Sequence, residues 1–275
     1  MLVEPKTTSH CFYKMSGLDN DFIIIDNRLN NYNFFYPQIK QICQKLCYRK
    51  NIGCDQLIIL NNSKIADVAI DIFNSDGSKS GACGNATRCI ASLIFAKTQS
   101  TSISIAVGEK ILACTQINQQ NIAVNMGQAT ILYQNLVFHQ LNFMALDVGN
   151  PHAVCFVDAP LSSELFYTIG PALENNLQYF PQKTNVEFAQ VLNRHTINVR
   201  VWERGVGETS ACGSGACAVA VAGILQNLVD DDTEITIIFA GGELKINWQN
   251  RQNIIMTGGF QKIFTGFFES DFLID

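Results

Sequence analysis

Two stretches of the chain, residues 85–97 and 214–226, are apolar on nearly every helical face. All-round apolarity predicts helices enclosed by other elements rather than laid on a surface. Elsewhere a period of two dominates. "AIDIFN" at 69–74 and "NVRVWE" at 198–203 each end in a large aromatic and then a polar residue, and both predict strands. A further helix is predicted over 36–47, where Ile39, Ile42, Cys43 and Leu46 recur at three- and four-residue steps.

The pattern occurs twice. A shift of 129 residues lays "ACGNATRC" (82–89) on "ACGSGAC" (211–217), the 69–74 strand on the 198–203 strand, and "DQLIIL" (55–60) on "TNVEFA" (184–189). A shift of 130 lays "NDFIII" (20–25) on "NPHAVC" (150–155). Order, spacing and character together indicate an internal duplication, with halves 1–130 and 131–275 that each hold strands, one central helix and closing hairpins.

The duplicated polar positions change the picture. They pair Asn20 with Asn150, Gln56 with Asn185, Asn74 with Glu203 and Cys83 with Cys212. Duplicated apolar residues would build two similar cores; duplicated polar residues at strand ends and helix starts suggest two half-sites closing on one ligand. Cys83 and Cys212 stand where helices begin, and unpaired N–H groups there are expected to stabilise a thiolate and lower the thiol pKa. Gly84 and Gly213 remove side-chain bulk and let a carboxylate approach the same N–H groups. Two such thiols suit the inversion of a carbon stereocentre, one removing the α-proton and the other delivering a proton from the opposite face. The alternative is a pair of buried, inert cysteines at tight turns.

The halves are unequal in their proton acceptors. Glu203 precedes Cys212 by nine residues, whereas Asn74, its counterpart ahead of Cys83, cannot accept a proton. His152 is the best candidate to supply the first half, because its own counterpart, Phe22, is apolar. Arg204 suits either a second substrate carboxylate or a structural ion pair. Arg88 reads as an interdomain or surface contact, and His10, His139 and His195 as surface or packing residues.

Composition narrows the function classes. The 275 residues carry a net charge of −5, so no general field draws nucleic acid or an anionic membrane. No apolar run has the ~18 residues of a membrane span, and no signal peptide stands at the start, so a cytoplasmic protein is expected. Ten cysteines without a C-x-x-C pair argue against a zinc site or a disulfide scaffold. Neither a metal nor a cofactor is expected.

"GLDNDFIIID", "GCDQ", "IFNSDGSKSGACGNATRC", "GNPHAV", "TNVEF" and "VWERGVGETSACGSGACA" together resemble the diaminopimelate epimerases, in that family's order and spacing over nearly the whole chain. The resemblance implies an α/β (α+β) fold of two similar, pseudo-twofold-related domains. Each is a curved, mainly antiparallel sheet around a central helix, with the active site in the cleft between them and the last strand packing back on the first. It implies that Cys83 and Cys212 are the acid/base residues, with His152 and Glu203 as activators. Substrate contacts fall to Asn20, Gln56, Asn74, Asn150, Asn185 and Arg204, and helix-start N–H groups to Gly84, Asn85, Gly213 and Ser214. The implied reaction is cofactor-independent interconversion of LL- and meso-2,6-diaminopimelate in lysine and peptidoglycan precursor synthesis. The only partner it implies is this small-molecule substrate, and a homodimer is compatible with it.

Three departures stand out: Asp19 where the family has Gly, Ala86 where it has Gly, and extra residues ahead of Phe12 that suggest a disordered or edge-strand extension. The rival reading is a proline or hydroxyproline racemase, which Asn85 and Ser214 oppose, since that family carries His and Thr there. A non-catalytic thiol-redox or binding protein is the third.

Overall fold

The computed structural model describes residues 9–29, 32–81, 83–269 and 272. Of the extension ahead of Phe12, residues 1–8 lie outside the described residues, and Ser9, His10 and Cys11 open the first strand. The chain divides into two compact units, residues 1–122 with 260–275, and residues 123–259.

The first unit holds strands β1 (Ser9–Gly17) and β2 (Asn20–Asp26), a 3-10 turn (Asn33–Gln38) running into helix α1 (Ile39–Cys47), strands β3 (Gln56–Asn61), β4 (Val68–Asn74) and β5 (Lys79–Ser80), helix α2 (Gly84–Phe95), and strands β6 (Ser102–Val107) and β7 (Lys110–Gln116). β1 pairs antiparallel with β2, β2 parallel with β3, β3 antiparallel with β4, β4 parallel with β6, and β6 antiparallel with β7. The chain's final strand, Gln261–Glu269, pairs antiparallel with β1.

Past β8 (Asn121–Asn125), the second unit runs through β9 (Thr130–Phe138), β10 (Leu141–Asp147), β11 (Pro151–Phe156), α3 (Ser163–Glu174), β12 (Asn185–Asn193), β13 (Thr196–Glu203), β14 (Gly207–Thr209), α4 (Gly213–Leu225), β15 (Ile235–Phe239), β16 (Gly242–Gln249) and β17 (Asn253–Gly259). Its pairings from β10 to β16 repeat those of β1 to β7 in order and sense. The duplication read from the sequence is therefore a duplication of topology.

Every residue of α2 is buried, as is every residue of α4 from Gly215 to Ile224. This is the enclosure that their all-round apolarity predicted. The opposite faces of the sheets pack against α1 and α3. In the first unit Leu57 and Ile59 of β3 join Ile42, Cys43 and Leu46 of α1 in one core. In the second, Val186 and Phe188 of β12 join Phe166, Ile169 and Leu173 of α3. Strand residues alternate between faces, so Ile58 in β3, and Asn185 and Glu187 in β12, turn the other way.

Helix α3 did not stand out in the sequence, because Gly170 and Pro171 interrupt it. Its signal was nonetheless present: Phe166, Ile169, Gly170 and Leu173 are buried at helical spacing, and Ser162 caps the start by accepting from the Leu165 N–H at 3.3 Å. Gly170 has a packing reason, since a Cβ there would lie 3.0 Å from Cγ of Trp202.

Candidate active site

In the first unit, the expected residues come from three strand ends and one helix start. Asn20 opens β2, Gln56 opens β3, Asn74 closes β4, Cys83 is the N-cap of α2, and Gly84 and Asn85 are its first residues. Gln56 faces Asn74 across the antiparallel pair and donates to its Oδ1 at 3.0 Å. Asn74 in turn donates to Ser78 Oγ at 3.0 Å. Asn20 Nδ2 lies 3.8 Å from the Cys83 sulfur. Asn20 Oδ1 and Gln56 Oε1 are buried acceptors without a partner among the described residues, suited to a ligand's N–H groups.

An ion network holds these strand starts. Asp21, beside Asn20, accepts from Lys14 at 2.5 Å and Arg49 at 2.7 Å, and Asp55, beside Gln56, accepts from Arg49 at 2.5 Å. The Asp21 and Asp55 carboxylates also each accept the other residue's backbone N–H at 2.9 Å. Burial works to raise the Asp21 pKa, but hydrogen bonds from Arg49 and Lys14 outweigh it and hold the carboxyl well below the usual range. The network was not anticipated, because Lys14, Asp21, Arg49 and Asp55 are scattered along the chain.

The departure at Asp19 is accommodated in the backbone. Leu18 and Asp19 have φ of 54° and 61° and form the two-residue turn between β1 and β2, closed by the Gly17–Asn20 pair. Ala86 is fully buried inside α2. Arg88 also departs from its surface reading. It is 0% exposed and donates to Asn85 Oδ1 at 2.7 Å, so it braces a helix-start residue from within the fold.

In the second unit the matching positions are equally occupied. Asn150 immediately precedes β11, His152 lies within it, Asn185 opens β12, Glu203 closes β13, and Cys212 caps α4 ahead of Gly213 and Ser214. Asn185 Oδ1 accepts from the Arg204 backbone N–H at 3.0 Å, and Asn185 Nδ2 donates to the Pro151 carbonyl at 2.9 Å. The Arg204 guanidinium donates to the Gln182 carbonyl at 3.0 Å.

Glu203 and His152, the two residues expected to accept protons, have different surroundings. Glu203 accepts from Thr209 Oγ1 at 2.5 Å. Burial raises the Glu203 pKa, while the Thr209 hydroxyl and the Cys212 thiol pull it back. His152 is fully buried, its Nδ1 2.6 Å from Glu187 Oε1 and its Nε2 3.1 Å from Asn150 Oδ1. Glu187 was present in the "TNVEF" motif without a role; a charged residue between Val186 and Phe188 was the signal for one.

Cys212 corrects an expectation. The helix start does act on it: the Gly215 N–H donates to Sγ at 3.4 Å and Ser214 Oγ lies at 3.6 Å. Burial and the charges of Glu203 and Glu187 dominate, however, and push the thiol pKa well above its ordinary value. A thiolate formed at such a site is a stronger base than an ordinary one.

A family model described as diaminopimelate epimerase matches residues 12–132 and 144–263. The chain is 41% identical over 266 residues to a diaminopimelate epimerase of Pelagibacter ubique (strain HTCC1062), with 90% of this chain and 94% of that protein covered. It is 38% identical over 271 residues to one from Wolbachia sp. subsp. Drosophila simulans (strain wRi), covering 91% and 96%. Among solved structures, a hydroxyproline epimerase from Agrobacterium vitis is similar with a TM-score of 0.68 at 10% identity, covering 96% of this chain and 93% of that one. A PhzF-family phenazine biosynthesis protein from Bacillus anthracis also reaches 0.68, at 13% identity and 95% and 99% coverage. At such identities the structural likeness is one of fold.

Proposed function

The chain belongs to the diaminopimelate epimerase family, and on that premise we propose that it interconverts LL- and meso-2,6-diaminopimelate by a two-base, cofactor-independent proton transfer. The observation carrying this reading is the pair of cysteines capping the two topologically equivalent helices, Cys83 at α2 and Cys212 at α4. In the proposed reaction one thiolate removes the α-proton and the other thiol returns a proton to the resulting carbanion.

Glu203 accepts the Cys212 proton as that thiol becomes the base, so the raised thiol pKa gives a base strong enough to reach a carbon acid while Glu203 lowers the barrier to forming it. His152 is the second proton acceptor. Helix-start N–H groups at Gly84, Asn85, Gly213 and Ser214 receive the α-carboxylate, where negative charge builds up as the proton leaves. Asn20, Gln56, Asn74, Asn150, Asn185 and Arg204 orient the rest of the substrate, and the unpartnered oxygens of Asn20 and Gln56 suit its ammonium groups. Among the described residues no helix is long and apolar enough to cross a membrane, which accords with a cytoplasmic enzyme supplying lysine and cell-wall precursors.

The test is solvent-isotope incorporation. Purified protein in deuterium oxide should label the α-position of diaminopimelate and equilibrate its LL and meso forms, and Cys83→Ala or Cys212→Ala should each abolish epimerisation. Full activity in either variant removes the two-base reading. Activity confined to proline or hydroxyproline would transfer the assignment to the racemases that share the fold.

A further inference from the structure

We propose that Glu187 is the positioning residue that fixes the tautomer of His152, so that protons enter and leave the imidazole only at Nε2. The inference rests on reading His152 as a proton acceptor in the epimerisation.

Both side chains are 0% exposed, and Glu187 Oε1 lies 2.6 Å from His152 Nδ1. Oε2 of the same carboxylate has no hydrogen-bond partner among the described residues, so His152 is the contact that the buried charge serves. A carboxylate only accepts hydrogen bonds, which places the Nδ1 proton between the two groups. Strand pairing sets the arrangement: β11 and β12 run parallel with His152 opposite Asn185 and Val154 opposite Glu187, which turns the His152 and Glu187 side chains to one face.

The first unit supplies the comparison. In the same register, Phe22 stands opposite Gln56 and Ile24 opposite Ile58, so Phe22 and Ile58 occupy the places of His152 and Glu187. Packing alone fills those places with two apolar side chains, both fully buried. The glutamate is therefore present for the histidine rather than for the fold. The helix makes room for it: a Cβ on Gly215 would lie 2.8 Å from Glu187 Oε1, while the matching position in α2 is Ala86.

The other ring nitrogen faces the Asn150 amide, with Oδ1 3.1 Å from Nε2. An amide holds a donor and an acceptor at nearly equal reach. Its oxygen accepts from Nε2–H of an imidazolium, and rotated by half a turn its Nδ2 donates to the bare Nε2 of the neutral ring. Nδ1–H stays on Glu187 in both states. Accepting a proton from a thiol at Nε2 leaves a thiolate and an imidazolium, and the proton returns by the same nitrogen.

The test is nitrogen-15 NMR of protein labelled at histidine, with the His152 signals assigned by their loss in His152→Gln. Wild-type protein should show a protonated Nδ1. In Glu187→Gln, whose amide can also donate to Nδ1, an Nε2–H form should appear and kcat should fall about 10- to 100-fold with a smaller change in KM. An unprotonated Nδ1 in wild-type protein overturns the proposal whether or not the variant folds. So does a folded Glu187→Gln that keeps Nδ1–H and wild-type kcat. Wild-type protein with Nδ1–H but no activity on diaminopimelate supports the tautomer lock and removes only the substrate reading.

Discussion

Replacing Gly215 by alanine adds one carbon at the tightest point of the second unit's site. Gly215 is the third residue of α4, and its φ is not in the left-handed region, so the backbone accepts an alanine without strain. The space does not. The new Cβ would lie 2.8 Å from Glu187 Oε1, 3.2 Å from Cys212 Cβ and 3.4 Å from Cys212 Sγ. A carbon–oxygen contact that short has to open by about half an ångström. Glu187 cannot retreat without disturbing its 2.6 Å bond to His152, and α4 cannot move without carrying Cys212. Overpacking of this kind costs about 1–3 kcal/mol, and alanine in place of glycine in a helix returns about 0.5–1 kcal/mol. The net loss is about 1 kcal/mol, which lowers Tm by about 2–4 °C in a domain of this size. Catalysis is more sensitive, because a displacement approaching 1 Å at reacting groups costs about 100-fold in rate. Thermal unfolding monitored beside solvent-deuterium incorporation should therefore show a roughly 10- to 100-fold fall in kcat in a protein still folded at assay temperature. Wild-type kcat in Gly215→Ala would refute the account of a filled slot between thiol and carboxylate.

The surroundings of Glu203 give a pH prediction. Its pKa is raised by burial and pulled down by the Thr209 hydroxyl, so Thr209→Val should raise it further. If ionised Glu203 receives the Cys212 proton, activity rises with pH as Glu203 ionises, and the acid limb of kcat/KM in Thr209→Val should move to higher pH; an unmoved limb assigns that limb to another group. At the β1–β2 turn, Asp19 is exposed with φ of 61°. Asp19→Gly removes the left-handed penalty and should stabilise the protein by up to about 1 kcal/mol, read from the urea midpoint. A loss of stability would show that the aspartate side chain contributes to the turn.

The enclosed helices were legible because α2 and α4 are apolar on nearly every face, and the strand ends because Asn74 and Glu203 each follow an aromatic that closes an alternating run. The site residues were legible for a related reason. They occur at matched places in a duplicated sequence, and that match exposes polar residues a single copy would hide. Contacts between residues remote in sequence were not readable in the same way. The Lys14–Asp21–Arg49–Asp55 network depends on the strand starts being adjacent, and the burial of Arg88 on how closely the sheet surrounds α2. The position of Cys212 at a helix start was also readable. The rise in its pKa was not, because that depends first on burial in the folded chain and then on two carboxylates, one of them 25 residues upstream at Glu187.

The differences between the two copies form a set. Where the first unit has Phe22, Ile58 and Ala86, the second has His152, Glu187 and Gly215, in the same strand register and at the same helical position. Each change alone would be costly. A histidine without the glutamate would leave Nδ1–H buried and unpaired, a glutamate without the histidine would leave a buried carboxylate with no partner, and both with an alanine in the helix would collide. Made together, they place a hydrogen-bonded acid/base pair where the other copy has apolar packing. One topology thus carries two electrostatic environments: an amide-lined half with Asn20, Gln56 and Asn74, and a half that holds both His152 and Glu203. Grafting Phe22→His alone into the first unit should therefore destabilise the protein without producing a base, since Ile58 supplies no acceptor for Nδ1.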